Sequence, residues 1–322
     1  MDGMTVTLFF SAVVFSATPI LLAVIGETLS EKSGFINLSL DGTILFSAMG
    51  AFAVAVQTDS LLAGFIAGAL IGAGVAAVAA VFSLYLNVSQ IATGFVLSLM
   101  TRDMAYFLGA PFSGITGPRV SHLAIPGLSG LPLIGPVLFD QNPVVYLSLS
   151  MAITVWWLIS RTPFGLNLRA TGEHPEAAFA RGLNPTPIRL VCAAGGGLLA
   201  GLGGGAYSLC VKAGWGHPQG AEGVGWIVLA LVIFGRWGVI RAAMGAYFFA
   251  FLQVGGVYLQ TQVPRIPAQV FQVAPFPLMI FTLLLMNLSP GKGVRTPLEA
   301  GHRRGRGEGM PAALGRSWPG GR

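Results

Sequence analysis

Glu27, Glu31, Lys32 and Asp41 bring chemistry-bearing side chains together beside long apolar stretches. Glu27 and Glu31 are four residues apart, so a helix puts both carboxylates on one face. Ionisable groups within or next to membrane segments are costly, and they persist where they pair or serve a transport path. Two readings stand: a salt-bridge cluster at the membrane edge, with Lys32 offsetting one carboxylate, or polar groups along a solute path. Arg102 and Asp103 form a second pair. Sequence neighbours point apart on a helix, so each needs its own partner. Arg236 closes a short apolar segment, where snorkelling to the interface accounts for it.

Catalytic sets are missing. The sequence holds no HExxH, no paired-Cys motif, no GxSxG elbow and no GxxxxGK[ST] phosphate loop. His122, His174, His217 and His302 are scattered over polar stretches. Gly201–Ala206 formally matches a dinucleotide fingerprint, but it lies within an apolar segment instead of between a strand and a helix, and helix packing explains it. Cys192 and Cys210 share one apolar segment; as helix they stand about 27 Å apart and cannot pair with each other. No catalytic residue, cofactor or metal site is expected.

The elements that position these residues must be membrane helices. Of 322 residues, 54% are hydrophobic and 9% charged, against about 25% charged in soluble domains. Glycine, at 45 residues, suits close helix–helix approach in a bilayer. Gly64, Gly68 and Gly72 recur every fourth residue, as do Gly197, Gly201 and Gly205, and each set makes a packing face. The expectation is an all-α polytopic membrane protein, residues 1–288, with a bundle of about 8–10 transmembrane helices. The mixed segment Gly26–Gly42 and the short segment Gly223–Phe234 are candidates for broken or re-entrant helices.

The net charge of +6 does not point to nucleic acid, because most of it follows the last apolar run. A basic segment directly after a spanning helix marks the cytoplasmic side, so the C-terminus is expected there. The tail, residues 289–322, is poor in large apolar residues and is expected to be disordered. The first apolar run is expected to direct insertion without a cleaved leader. The same charge rule places the loop Arg161–Arg189 inside, the Ala110–Pro143 loop outside and the N-terminus outside.

That inner loop contains a punctuated helix. Pro175 suits the first helical position. Glu176 and Arg181 stand on the favourable ends of the helix dipole, and Gly182 can take the left-handed conformation that ends a helix. A helix of about two turns is marginal alone in water, so it must dock. It is either a tie between two membrane helices or a lever that fits a partner.

Three stretches resemble a known family. Gly26–Gly42 reads GETLSEKSGFINLSLDG and is similar to the pattern E-R-[SA]-G-V-x-N-L-G-x-E-G. That pattern belongs to the membrane subunits of bacterial binding-protein-dependent ABC importers, in the branch of simple-sugar, nucleoside and branched-chain amino-acid permeases. The inner loop resembles that branch's A-x-G-x-x-P-x-A-A-x-x-x-G-I/L pattern through Ala170, Gly172, Pro175, Ala177, Ala178, Gly182 and Leu183. Gly225-Trp226-Ile227 to Ala230, then Phe234-Gly235-Arg236-Trp237, resembles a third stretch, of the sugar/nucleoside branch. Lys32, Phe35, Ser39 and Asp41 depart from the pattern while roughly keeping charge or size.

The resemblance implies a permease subunit of the inner membrane, without an ATP site of its own. It implies ABC ATPase partners, a second permease (a paralogue, forming a heterodimer), an extracytoplasmic solute-binding protein and surrounding lipid, and no nucleic acid. It makes the helix at 175–181 a coupling helix docked on the ATPase, with Gly172, Glu173, Pro175, Ala177, Ala178 and Gly182 as its loop residues. It marks Glu27, Glu31, Gly34, Asn37, Asp41, Gly42, Gly225 and Arg236 as motif and candidate pathway residues. Nucleosides are the first expectation for the solute, simple sugars the second and branched-chain amino acids the third. The alternative from another class is an ion-coupled secondary transporter, which would rely on Glu27, Glu31 and Asp41.

Overall fold

A bilayer offers no water to unpaired backbone groups, so apolar runs fold as helices that satisfy their own N–H and C=O groups. The computed structural model describes residues 3–124, 135–262, 277 and 309–316. The apolar run Val270–Leu288, apart from Pro277, and the tail from 289, apart from 309–316, lie outside the described residues. The helices are α1 (Gly3–Lys32), α2 (Leu40–Thr58), α3 (Leu61–Leu84), α4 (Gln90–Gly109), α5 (Pro143–Arg161), α6 (Pro163–Glu173), α7 (Pro175–Ala180), α8 (Pro185–Ala206), α9 (Val224–Phe234) and α10 (Val239–Gln262). A π-turn, Tyr207–Val211, prolongs α8. Two short strands, β1 (Leu123–Ala124) and β2 (Asp140–Gln141), pair antiparallel in the link between α4 and α5. Among the described residues, 6 helices are long and apolar enough to cross a membrane. The protein is an all-α polytopic membrane protein.

Glycine faces set the core. A Cβ on Gly72 would lie 2.2 Å from the Gly197 carbonyl oxygen, and one on Gly201 would lie 2.2 Å from that of Gly68. So α3 and α8 touch backbone to backbone, which only small residues allow. Gly26 of α1 meets Gly196 of α8 in the same way, at 2.5 Å. Helix α2 lies between α3 and α4. It runs parallel to α4, with Gly42 beside Ser98 and Met49 beside Gly109.

The expected irregular segments resolve differently. Helix α1 continues to Lys32, so Glu27 and Glu31 lie within it. The break falls at residues 33–39, where Gly34 has φ +96°. Helix α9 has only 11 residues, roughly 16 Å of rise, and cannot cross the bilayer alone. Helix α6 was not foreseen. Its start is nonetheless written in Thr162-Pro163: the Thr162 hydroxyl accepts the Gly165 N–H at 3.1 Å, and Pro163 takes the first position.

Candidate functional site

Two regions carry the residues singled out above. The first lies inside the bundle, where α2 and α9 begin. Asp41 stands in the first turn of α2, on the favourable side of its dipole. Its Oδ1 accepts the Gly225 N–H of α9 at 3.1 Å. A Cβ on Gly225 would sit 2.2 Å from the Asp41 nitrogen, so α9 can start here only with glycine. Gly42 is equally tight, 2.1 Å from the Ser98 oxygen for an added Cβ, and its N–H donates to Ser98 Oγ at 3.1 Å. One turn further, Ile44 packs on Gly204, roughly 28 Å along α8 from Pro185. The junction therefore lies beside the half of α8 that is remote from Pro185.

The link before α9 is fastened to α4. The Tyr106 hydroxyl donates to Glu222, and Glu222 also accepts the N–H groups of Gln219 at 2.7 Å and Gly220 at 2.6 Å. Partial burial pushes the Glu222 carboxyl up, but these hydrogen bonds outweigh it and hold it below its ordinary value. The His217 and Trp215 rings lie 4.4 Å and 5.6 Å from the Tyr106 ring. Arg102 reaches both Asp41 and Tyr106 electrostatically. It shares an exposed face of α4 with Asp103, Leu99 and Phe95.

Below this junction, Glu27 and Glu31 organise the 33–39 link and the corner between α9 and α10. Glu27 is fully buried and accepts the Asn37 N–H at 3.1 Å. Asn37 Oδ1 in turn accepts the Ser39 N–H at 3.2 Å and its hydroxyl at 2.5 Å. Glu31, also buried, accepts the Trp237 indole N–H. Both carboxylates thus face packed interior. Arg236 is not brought to them. It is exposed at the end of α9 with φ +50°, while Trp237 turns inward.

The second region is the end of the bundle that carries α6 and α7. Gly172, buried, lets α6 rest on the end of α1: an added Cβ would lie 2.2 Å from the Lys32 oxygen. Helix α7 starts at Pro175 and stops as anticipated. Gly182 has φ +85°, its N–H donates to the Phe179 oxygen at 2.8 Å, and the Leu183 N–H donates to the Ala178 oxygen at 3.0 Å. Ala178 is buried against its own chain, while Glu176, Ala177, Phe179 and Ala180 are exposed. Of Ala177 and Ala178, the two expected to dock, only Ala177 is presented outward.

Sequence reasoning missed Arg189, which is fully buried. Its Nε donates to the Ser33 oxygen at 3.1 Å, its Nη2 to the Thr171 oxygen at 3.3 Å and its Nη1 to the Arg316 oxygen at 2.9 Å. One guanidinium thus ties the ends of α1 and α6 to the tail. A Cβ on Gly34 would lie 2.7 Å from Arg189 Nη2. The available signal was a cation in the second turn of an apolar helix. Within the stretch expected to be disordered, residues 309–316 fold onto this same end. The N–H groups of Ala313 and Gly315 donate to the oxygens of Gly172 (2.9 Å) and Gly34 (3.1 Å).

Residues 9–283 match the family described as branched-chain amino acid transport system / permease component. The chain belongs to this family. The permease is 30% identical over 308 residues to the nucleoside ABC transporter permease protein NupC of Lactococcus lactis subsp. cremoris, covering 90% of this chain and 94% of that one. It is 30% identical over 285 residues to the guanosine ABC transporter permease protein NupQ of Bacillus subtilis (83% and 88% covered). It is 35% identical over 246 residues to the putative glucose ABC transporter permease protein TsgC13 of Haloferax volcanii (75% and 74% covered). No solved structure matches the permease.

Proposed function

We propose that this permease is the membrane subunit of an ATP-driven importer for a small hydrophilic solute, a nucleoside before a simple sugar. The order follows the relatives: NupC and NupQ, named for nucleoside and guanosine transport, align over more of the chain than TsgC13, named for glucose. A separate ABC ATPase supplies the energy, an extracytoplasmic binding protein delivers the solute, and a second permease completes the path. The exposed face of α4 suits that second subunit, because Arg102 and Asp103 stand on it beside exposed Phe95 and Leu99 and would be ill placed against lipid.

The observation that carries the coupling reading is α7. It is a six-residue helix that starts on Pro175 and is closed at its other end by Gly182 and Leu183, with one side packed on the bundle and Ala177 and Phe179 exposed on the other. The end that carries it, with Arg161, Arg169 and Arg181, is taken as cytoplasmic. When the ATPases close on ATP, α7 is pushed and α6 moves with it. Gly172 presses on the end of α1, Glu31 holds Trp237 beyond α9, and Asp41 holds the start of α9. A contiguous set of packed contacts thus links the loop to the bundle interior.

The test is Ala177→Asp in the complex reconstituted in vesicles with its ATPase and binding protein. A charge forced into a docking groove costs several kcal/mol. Insertion and thermal stability should stay normal while solute-stimulated ATPase disappears. Stimulated ATPase at the unaltered level would overturn the coupling reading. Uptake of labelled nucleosides and of sugars by the intact complex tests the solute separately.

A further inference from the structure

The octapeptide Gly309–Arg316 is short, yet it is held at both ends of a groove. On one side the Ala313 N–H donates to the Gly172 oxygen at 2.9 Å, and the Ala312 N–H donates to Glu173 Oε2 at 3.3 Å. On the other side the Gly315 N–H donates to the Gly34 oxygen at 3.1 Å, and the Arg316 oxygen accepts from Arg189 at 2.9 Å. Ala313 is 4% exposed, Pro311 is buried, and Leu314 packs against the main core. Gly315, with φ +73°, closes over Ile36. The groove is therefore a peptide-docking site, and its occupant is the chain's own tail.

The two sides of the groove belong to parts that the proposed stroke must move against each other. Gly172 and Glu173 end α6, the arm that carries α7. Gly34 lies in the break after α1, and Arg189 belongs to α8. Displacing α6 relative to α1 and α8 breaks the tail's bonds on one side or the other. The sequence between Leu288 and Gly309 can reach roughly 65 Å when extended, so the last apolar run can deliver its own tail to this groove.

We propose that Gly309–Arg316 is an inhibitory strap, which holds the coupling arm in the arrangement seen here and must leave its groove for the arm to swing. This rests on α7 being the coupling helix. Strapping favours one state only by the differential contacts it makes there. Removing it should therefore raise basal ATPase, and fixing it should stop turnover.

The experiment uses the full complex in vesicles. One variant ends the chain after Glu308. A second, Ala313→Asp, keeps the tail but expels it from the groove. Both should raise basal ATPase about five- to tenfold, the equivalent of one or two net hydrogen bonds. A third carries Glu173→Cys and Ala312→Cys in a background with Cys192→Ala and Cys210→Ala. A short, reducible bis-thiosulfonate should join this pair, stimulated ATPase should fall when it does, and reductant should restore it. Failure of the pair to crosslink overturns the docking itself. Crosslinking without loss of ATPase, or tail variants with unchanged or lower ATPase, overturns the inhibitory role. Ala177→Asp, assayed alongside, separates the two readings. If it abolishes stimulation while the tail variants change nothing, only the strap fails. If it too changes nothing, the coupling reading fails and the strap's role falls with it.

Discussion

At the Asp41–Gly225 junction two glycines close the packing backbone against backbone, whereas at the Gly34–Gly172 end one such contact, Gly172 on the Lys32 oxygen, is joined by side chains and a length of tail that reach across to carbonyl oxygens. Added Cβ atoms at Gly42 and Gly225 would lie 2.1 Å and 2.2 Å from main-chain atoms that cannot give way. At the other end Arg189 and the octapeptide make a handful of hydrogen bonds, each worth about 1 kcal/mol net. Close-packed interiors resist small displacements and move as blocks. A few hydrogen bonds between blocks can be exchanged. The junction therefore behaves as a pivot that must keep its shape, and the α6–α7 end as the place where the blocks are latched.

The largest effect tests the pivot. Gly225→Ala should leave little folded permease after detergent extraction, since overpacking a well-filled site costs about 1–3 kcal/mol or more where backbone is struck. Gly182→Ala at the other end is the control. An added Cβ there meets nothing within 4 Å, and only the φ of +85° is strained, at about 1–2 kcal/mol. Equal thermal midpoints for the two variants would remove the distinction between the regions.

A smaller effect separates the two sides of α7. Ala178→Asp places a charge in the permease's own interior, where Ala178 is 3% exposed, and should destabilise it by several kcal/mol. Ala177→Asp, one residue away, should leave the melting temperature within a degree or two of wild type, as exposed substitutions generally stay within about 0.5 kcal/mol. Its effect should appear only in the assembled complex. If both variants melt together with wild type, α7 does not pack on the bundle as described.

The sequence made the periodic features legible. Gly64-Gly68-Gly72 and Gly197-Gly201-Gly205 announced two close-packing faces, because four-residue spacing maps onto one helix face, but not that α3 and α8 would meet through them. Pro175 and Gly182 bounded α7 because both residue types restrict or free φ in a way no tertiary context need supply. The facing of α7 was hidden, since Ala177-Ala178-Phe179-Ala180 in a two-turn helix has no periodicity to read. Helix α6 was masked by Asn167, Arg169 and Glu173 despite its clear start at Thr162-Pro163. Glu31 with Trp237 and Tyr106 with Glu222 join positions 206 and 116 residues apart, and nothing local in either member names its partner. Pro311-Ala312-Ala313-Leu314 is a small apolar island in a polar tail, and its docking depends on carbonyls of Gly34 and Gly172 that no side-chain pattern records.

The smallest effect concerns how the link before α9 is fastened. Glu222 is held below its ordinary carboxyl value in the folded protein: burial raises it, but hydrogen bonds from Tyr106 and from backbone N–H groups outweigh that. The unfolded chain therefore takes up this proton more readily than the folded one. The stabilisation is present above the unfolded pKa, ordinarily 4.5, and is lost as pH falls through the lower folded value. Glu222→Gln removes that dependence while keeping an oxygen for Tyr106. Melting curves from about pH 7 down to about pH 4 should show a steeper fall for wild type than for Glu222→Gln. The gap should be modest because the group is only half-buried, and solvent screens it. Tyr106→Phe takes away one of the bonds that lower Glu222, so its fall should lie between the two. Parallel curves for all three proteins would mean that this carboxylate does not fasten the link, and the pivot would then rest on Asp41 and the glycines alone.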